Sequence, residues 1–228
     1  MQPHDRLVVA VDLSGRDEIL RLVDTLQGTV GVFKIGLQAF IAIGPSIVRE
    51  VVARGEKVFL DLKIHDIPNT AKHAVAEAAA LGASIATVHA PGGEAMLRAC
   101  NHETLLVLGV TVLTSLSETD LLQIGFGGSA IHNVVRLARL AQSSGLRGVV
   151  ASPLEIEPIR EACGDDFVIL TPGIRPKGVD AGDQQRVMTP GEAVRAGATY
   201  IVVGRPITNA ADPRSAALRI VDEITVSS

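Results

Sequence analysis

The sequence predicts an α/β protein of the (β/α)8-barrel (TIM-barrel) type, one domain over residues 1–228. Three observations carry that expectation. Short runs rich in β-branched residues recur eight times. Segments of helical periodicity lie between them, the pattern of repeated βα units on a parallel sheet. The composition is 47% apolar but only 3% aromatic, which suits a barrel filled by branched aliphatic side chains. Barrels of this kind reach such a length as one unit, and no composition shift or linker marks a second domain.

The runs are Arg6 to Leu13, Gly31 to Gly36, Lys57 to Ile64, Ser84 to Ala90, Leu105 to Leu113, Gly148 to Ser152, Phe167 to Gly173 and Tyr200 to Gly204. Helical periodicity is clearest over Asp17 to Leu26, Thr70 to Leu81, Ser129 to Ser143 and Pro213 to Ile224. Glycines at Arg54-Gly55, Leu81-Gly82, Ser144-Gly145 and Ala196-Gly197 fall where a helix should stop before the next strand. An open doubly wound sheet is the rival architecture. The first run lacks the GxGxxG turn that a dinucleotide fold would want.

Composition also narrows the partners. The net charge is −4 and Lys and Arg are scattered, which argues against nucleic acid. No run approaches a membrane span and no apolar leader precedes the first strand pattern, so a soluble cytoplasmic protein is expected. Cys100 and Cys163 stand far apart without metal-ligand spacing, and they read as small buried hydrophobes in a reducing compartment.

Barrel enzymes take their catalytic side chains from the C-terminal ends of the strands. Three consecutive runs end in polar residues. The first ends in Asp12, the second carries Lys34, and the third ends Asp61-Leu62-Lys63-Ile64-His65-Asp66. Side chains alternate along a strand, so Asp61 and Lys63 share a face with Phe59. Val8, Ala10 and Asp12 share a face of the first strand, and Val32, Lys34 and Gly36 one of the second. Four ionisable groups should therefore converge in the mouth. The plain alternative is a buried ion pair between Asp61 and Lys63, yet such pairs often contribute less to stability than apolar replacements. An ammonium flanked by carboxylates is what a cationic proton donor requires.

A second constellation lies late in the chain, where Gly173 precedes Arg175 and Gly204 precedes Arg205. Loops after strands seven and eight are the habitual phosphate site of this fold, and arginine grips a phosphate bidentately. The segment from Ile174 to Met188 is long and polar, a lid candidate. His65 has the opposite parity to Lys63 and reads as structural. His89 reads as a wall residue, and Glu118 and Asp120 as solvated helix faces.

These residues resemble the orotidine 5′-monophosphate decarboxylase family, in its bacterial branch. The specific element is Asp61-x-Lys63-x-x-Asp66 continuing Ile67-Pro68-Asn69-Thr70. Upstream stand Val11-Asp12 and Phe33-Lys34-Ile35-Gly36. Downstream follow Val88-His89-Ala90-Pro91-Gly92-Gly93, Val110-Thr111-Val112-Leu113-Thr114-Ser115, Thr171-Pro172-Gly173-Ile174-Arg175, Asp183-Gln184 and Val202-Val203-Gly204-Arg205, in the family's order. The resemblance implies decarboxylation of orotidine 5′-monophosphate to UMP, the last step of de novo pyrimidine synthesis, with no metal and no cofactor. It implies a charge network of Lys34, Asp61, Lys63 and Asp66, with Lys63 as proton donor. Asp12 and Lys34 would hold ribose hydroxyls, Thr114 the pyrimidine edge, and Arg175, Gly204 and Arg205 the phosphate. Gln184 would bridge phosphate and base. Asp66 and Thr70 would reach into the partner's site in a homodimer.

Related barrels of the hexulose-phosphate synthase or keto-gulonate-phosphate decarboxylase type are similar around Asp-x-Lys-x-x-Asp but use Mg2+. They want an added carboxylate near strand two, where this chain offers Lys34. A barrel that merely binds a phosphorylated ligand would need no Lys–Asp pair in its mouth.

Overall fold

A computed structural model of the chain describes residues 1–176 and 188–227. Eight parallel strands close in sequence order into a barrel: β1 Leu7–Ala10, β2 Val32–Gly36, β3 Val58–Ile64, β4 Ile85–His89, β5 Leu106–Val110, β6 Gly148–Val150, β7 Val168–Thr171 and β8 Tyr200–Val203. The barrel closes through β1 and β8, with Val8 opposite Val202. Most strands are shorter than the β-branched runs that announce them, because pairing stops before the chain reaches the mouth.

The helices cover the outside. In chain order they are α1 Arg16–Leu26, α2 Leu37–Ile43, α3 Ser46–Val52, α4 Pro68–Ala80, α5 Gly93–Ala99, α6 Glu118–Gln123, α7 Ala130–Ser143, α8 Ile156–Cys163, α9 Pro190–Arg195, α10 Arg205–Thr208 and α11 Pro213–Ser227. Their starts follow capping chemistry. The α4 helix begins on Pro68, where a missing N–H costs nothing. Ser129 accepts from the His132 N–H at the start of α7. Asp120, expected to be merely solvated, accepts from the Ser117 N–H and hydroxyl and caps α6. Gly82 and Gly197, at φ of 90° and 108°, end α4 and α9 in the left-handed region that L side chains rarely adopt.

Strand alternation divides the core in two. Val9, Val11, Phe33, Ile35 and Leu60 face outward to buried helix positions such as Ile19, Val23 and Leu26, which lie on one stripe of α1. Val8, Ala10, Val32, Phe59, Ile85, Leu108, Leu170 and Val202 fill the barrel itself. Phe59 is fully buried beneath the mouth. Its truncation to alanine should cost about 3–5 kcal/mol through the cavity left behind.

Candidate active site

The strand period carries three charges to one end of the barrel. Val8 and Ala10 point inward, so Asp12 emerges at the rim; Val32 points inward, so Lys34 follows; Phe59 points inward, so Asp61 follows. The Lys34 ammonium donates to Asp12 Oδ1 at 2.9 Å and stands 3.8 Å from Asp61 Oδ2. The Lys63 ammonium donates to that same Oδ2 at 2.8 Å. Charges thus alternate from Asp12 through Lys34 and Asp61 to Lys63. The side chains of Lys34 and Asp61 are 12% and 11% exposed, whereas that of Asp12 is 52% exposed. Water screens the outer pair, and the inner charges hold most of their field.

Lys34, Asp61 and Lys63 share a cavity of about 170 Å³ with Thr114 and an apolar wall that includes Val112, Leu170, Pro172 and Val202. Fixed charges beside such a wall act more strongly on a bound molecule than they would in water. One end of the cavity is therefore ionic and the rest apolar, the combination common in small-molecule sites.

The third strand departs from simple alternation. Leu60 pairs with Ala86 and Ile64 with Val88, so Asp61, Leu62 and Lys63 stand opposite Thr87 alone. Lys63 has φ of 52°, the left-handed region, and is the non-glycine residue with positive φ among the described residues. Such bulges occur beside active sites and re-aim side chains. Here the excursion lets Lys63 turn back onto Asp61. Thr87, fully buried, donates to Asp61 Oδ1 at 2.9 Å and accepts from the Lys63 N–H at 3.0 Å. Sequence reading passed over Thr87, although its parity with inward-facing Ile85 was a signal that could have found it.

Beyond the bulge, His65 is exposed and lies against His89 with ring centroids 5.5 Å apart and planes tilted by 40°. Burial first, then the charges of His65 and Lys63, push the His89 imidazolium below its ordinary titration range, with Asp61 opposing. His89 is thus half-buried at the end of β4, and it does not line the cavity beside Lys63. Asp66 is exposed and accepts from the Ile67 N–H at 2.7 Å. Among the described residues no ion pair within the chain joins it to Lys63. Thr70 sits in the exposed first turn of α4.

The late constellation falls on adjacent strands. Gly173, at φ of 80°, lets the chain turn after β7 toward Arg175, and Gly204 precedes Arg205 after β8. Ile174 bridges Met188, and the Arg175 N–H donates to the Met188 carbonyl at 3.0 Å, so both ends of the intervening segment are tied together. Gln184, and with it Gly178, Gly182 and Asp183, lies outside the described residues. Among the described residues no three His, Cys, Asp or Glu side chains are gathered as a metal site would need.

Fold and site define the class: a (β/α)8-barrel enzyme with a lysine–aspartate chain set in an apolar mouth. A family model described as "Orotidine 5'-phosphate decarboxylase / HUMPS family" matches residues 5–220. The chain belongs to that family. It is 49% identical to an orotidine 5′-phosphate decarboxylase of Heliobacterium modesticaldum, over 98% of this chain and 97% of that one. It is 47% identical to a protein of that name from Haemophilus influenzae, over 91% and 94%. The crystal structure of orotidine 5′-phosphate decarboxylase from Lactobacillus acidophilus superimposes with a TM-score of 0.84 at 36% identity, covering 96% of this chain and 98% of that one.

Proposed function

We propose that the protein catalyses decarboxylation of orotidine 5′-monophosphate to UMP, in pyrimidine biosynthesis. The observation that carries this reading is Lys63, whose ammonium lies 2.8 Å from Asp61 Oδ2 at the charged end of the cavity. Membership of a family whose curated relatives bear that activity in their names supports it.

The chemistry asks for what this site holds. The bond from C6 to the carboxyl carbon breaks, CO2 departs, and the electron pair stays on C6 with no conjugated sink. A fixed ammonium beside C6 stabilises that charge as it develops and costs no reorganisation. Lys63 then passes a proton to C6 and regains one from solvent. Asp61 lies against the departing carboxylate and keeps Lys63 aimed. Asp12 and Lys34 hold the ribose hydroxyls, and Thr114 meets the pyrimidine edge.

Arg175, Gly204 and Arg205 take the phosphate, and Gln184 bridges phosphate and base. Binding energy from the remote phosphate is thereby used at the reacting carbon. Asp66 and Thr70 act across the interface of a homodimer, where Asp66 extends the alternation beyond Lys63. The reaction requires neither metal nor cofactor. Free Cys100 and Cys163 accord with a cytoplasmic enzyme.

The test follows loss of the orotate absorbance when the purified protein meets orotidine 5′-monophosphate in EDTA. Sustained turnover is expected. No turnover, or turnover abolished by the chelator, would favour the Mg2+-dependent sugar-phosphate chemistry instead.

A further inference from the structure

We infer that Thr87 is a positioning residue for the decarboxylation, its hydroxyl fixing both the carboxylate of Asp61 and the left-handed backbone of Lys63. The inference rests on the function proposed above.

The hydrogen bonds around Thr87 have one consistent direction. A backbone N–H can only donate, so the Lys63 N–H, 3.0 Å away, occupies an acceptor position on the Thr87 oxygen. The single hydroxyl proton is then available to Asp61 Oδ1 at 2.9 Å. With Oδ1 so engaged, the other oxygen is presented to Lys63 at 2.8 Å and to Lys34 at 3.8 Å. Thr87 therefore decides which carboxylate oxygen faces the two ammonium groups.

The same hydroxyl stands in for a missing rung of the sheet. Regular pairing between β3 and β4 lapses after Leu60 and resumes at Ile64, leaving Thr87 opposite three residues. In a regular ladder the Lys63 N–H would meet a main-chain carbonyl of the neighbouring strand. Here it meets a side chain, and Lys63 holds φ of 52°. Residues in sparsely populated conformations persist when their surroundings over-determine them. One oxygen thus couples the backbone that aims Lys63 to the carboxylate that receives its ammonium.

A side chain that positions without touching substrate should change turnover more than binding, since small misplacements of reacting groups cost rate. Three variants separate this from a packing role. Thr87→Val keeps shape and removes the hydroxyl; Thr87→Ala removes it with less bulk, should valine not fold; Thr87→Ser keeps it. Turnover of orotidine 5′-monophosphate and thermal melting are measured for each beside the wild type.

Loss of the hydroxyl is expected to lower kcat by about tenfold or more with KM changed by less than about threefold, and serine to restore most of kcat. Folded valine or alanine variants with kcat near the wild-type value overturn the inference, as does a serine variant as slow as valine. An inactive wild type removes the proposed function itself, whereas an active wild type with equally active hydroxyl-free variants removes only the role of Thr87.

Discussion

A Cβ added to Gly36 would stand 2.8 Å from the Lys34 ammonium and 3.0 Å from Asp12 Oδ1. The two residues share the inner face of β2, and the absence of a side chain at Gly36 is what lets Lys34 reach Asp12. The Gly36 backbone, at φ of −93° and ψ of −175°, is extended and open to any residue. The atoms that a methyl group would displace are the ends of flexible side chains, so the barrel should fold around it. Gly36→Ala is expected to keep its melting temperature and to lose about tenfold or more in kcat/KM through misplacement of the charge chain. Parallel melting and steady-state kinetics check this; an alanine variant as active as the wild type contradicts it.

Lys63 stores backbone strain. A left-handed residue with a Cβ costs roughly 1–2 kcal/mol, and glycine escapes most of that cost. Lys63→Gly and Lys63→Ala remove the same ammonium, so their difference isolates the backbone. The glycine variant is expected to be the more stable by about 1 kcal/mol, read from urea midpoints at equal slope. Equal midpoints would show an unstrained turn.

Strand alternation made much of this site legible. Asp12, Lys34 and Asp61 meet because each lies two residues beyond an inward-facing Ala10, Val32 or Phe59, and a period of two is readable without coordinates. The same rule could not foresee how Lys63 arrives. It supposed an unbroken strand, whereas the β3 bulge and a positive φ supply the turn. Thr87 escaped notice for a related reason: the importance of its hydroxyl comes from a gap in pairing between two strands, which neither strand shows alone. The capping role of Asp120 was not legible because a cap and a surface acid look alike until Ser117 is seen to donate to it.

Stability should fall on mild acidification. His89 titrates lower in the folded protein than in the unfolded chain, chiefly because it is buried, with His65 and Lys63 adding to the effect and Asp61 opposing it. An unfolded histidine titrates near about pH 6.5. Above that value both states are neutral and stability is complete; below it the unfolded chain takes up a proton that folded His89 resists, and stability is lost down to the folded value. Urea midpoints are expected to drop as pH falls below about 6.5, with a shallower drop in His89→Gln. Identical slopes would contradict the burial effect.

The proposed homodimer with shared sites makes a prediction by symmetry. If Asp66 serves the partner's Lys63, the homodimers of Lys63→Ala and of Asp66→Ala are both inactive. A mixed dimer places both substitutions in one site and leaves the other intact. Unfolding the two variants together and refolding them is expected to restore about a quarter of wild-type activity, since half of the dimers are mixed and each has one intact site. No recovery from two inactive homodimers would place Asp66 within its own chain's site, and an active Asp66→Ala homodimer would place it outside the chemistry.

The most direct measurement is the turnover number of Lys63→Ala against the wild type on orotidine 5′-monophosphate in EDTA, with melting curves to show both folded. Loss of the group proposed to stabilise the C6 charge and deliver the proton is expected to lower kcat by about a thousandfold or more. A folded Lys63→Ala variant that turns over within about tenfold of the wild type would contradict the role given to Lys63 and, with it, the reading of the charge chain as catalytic.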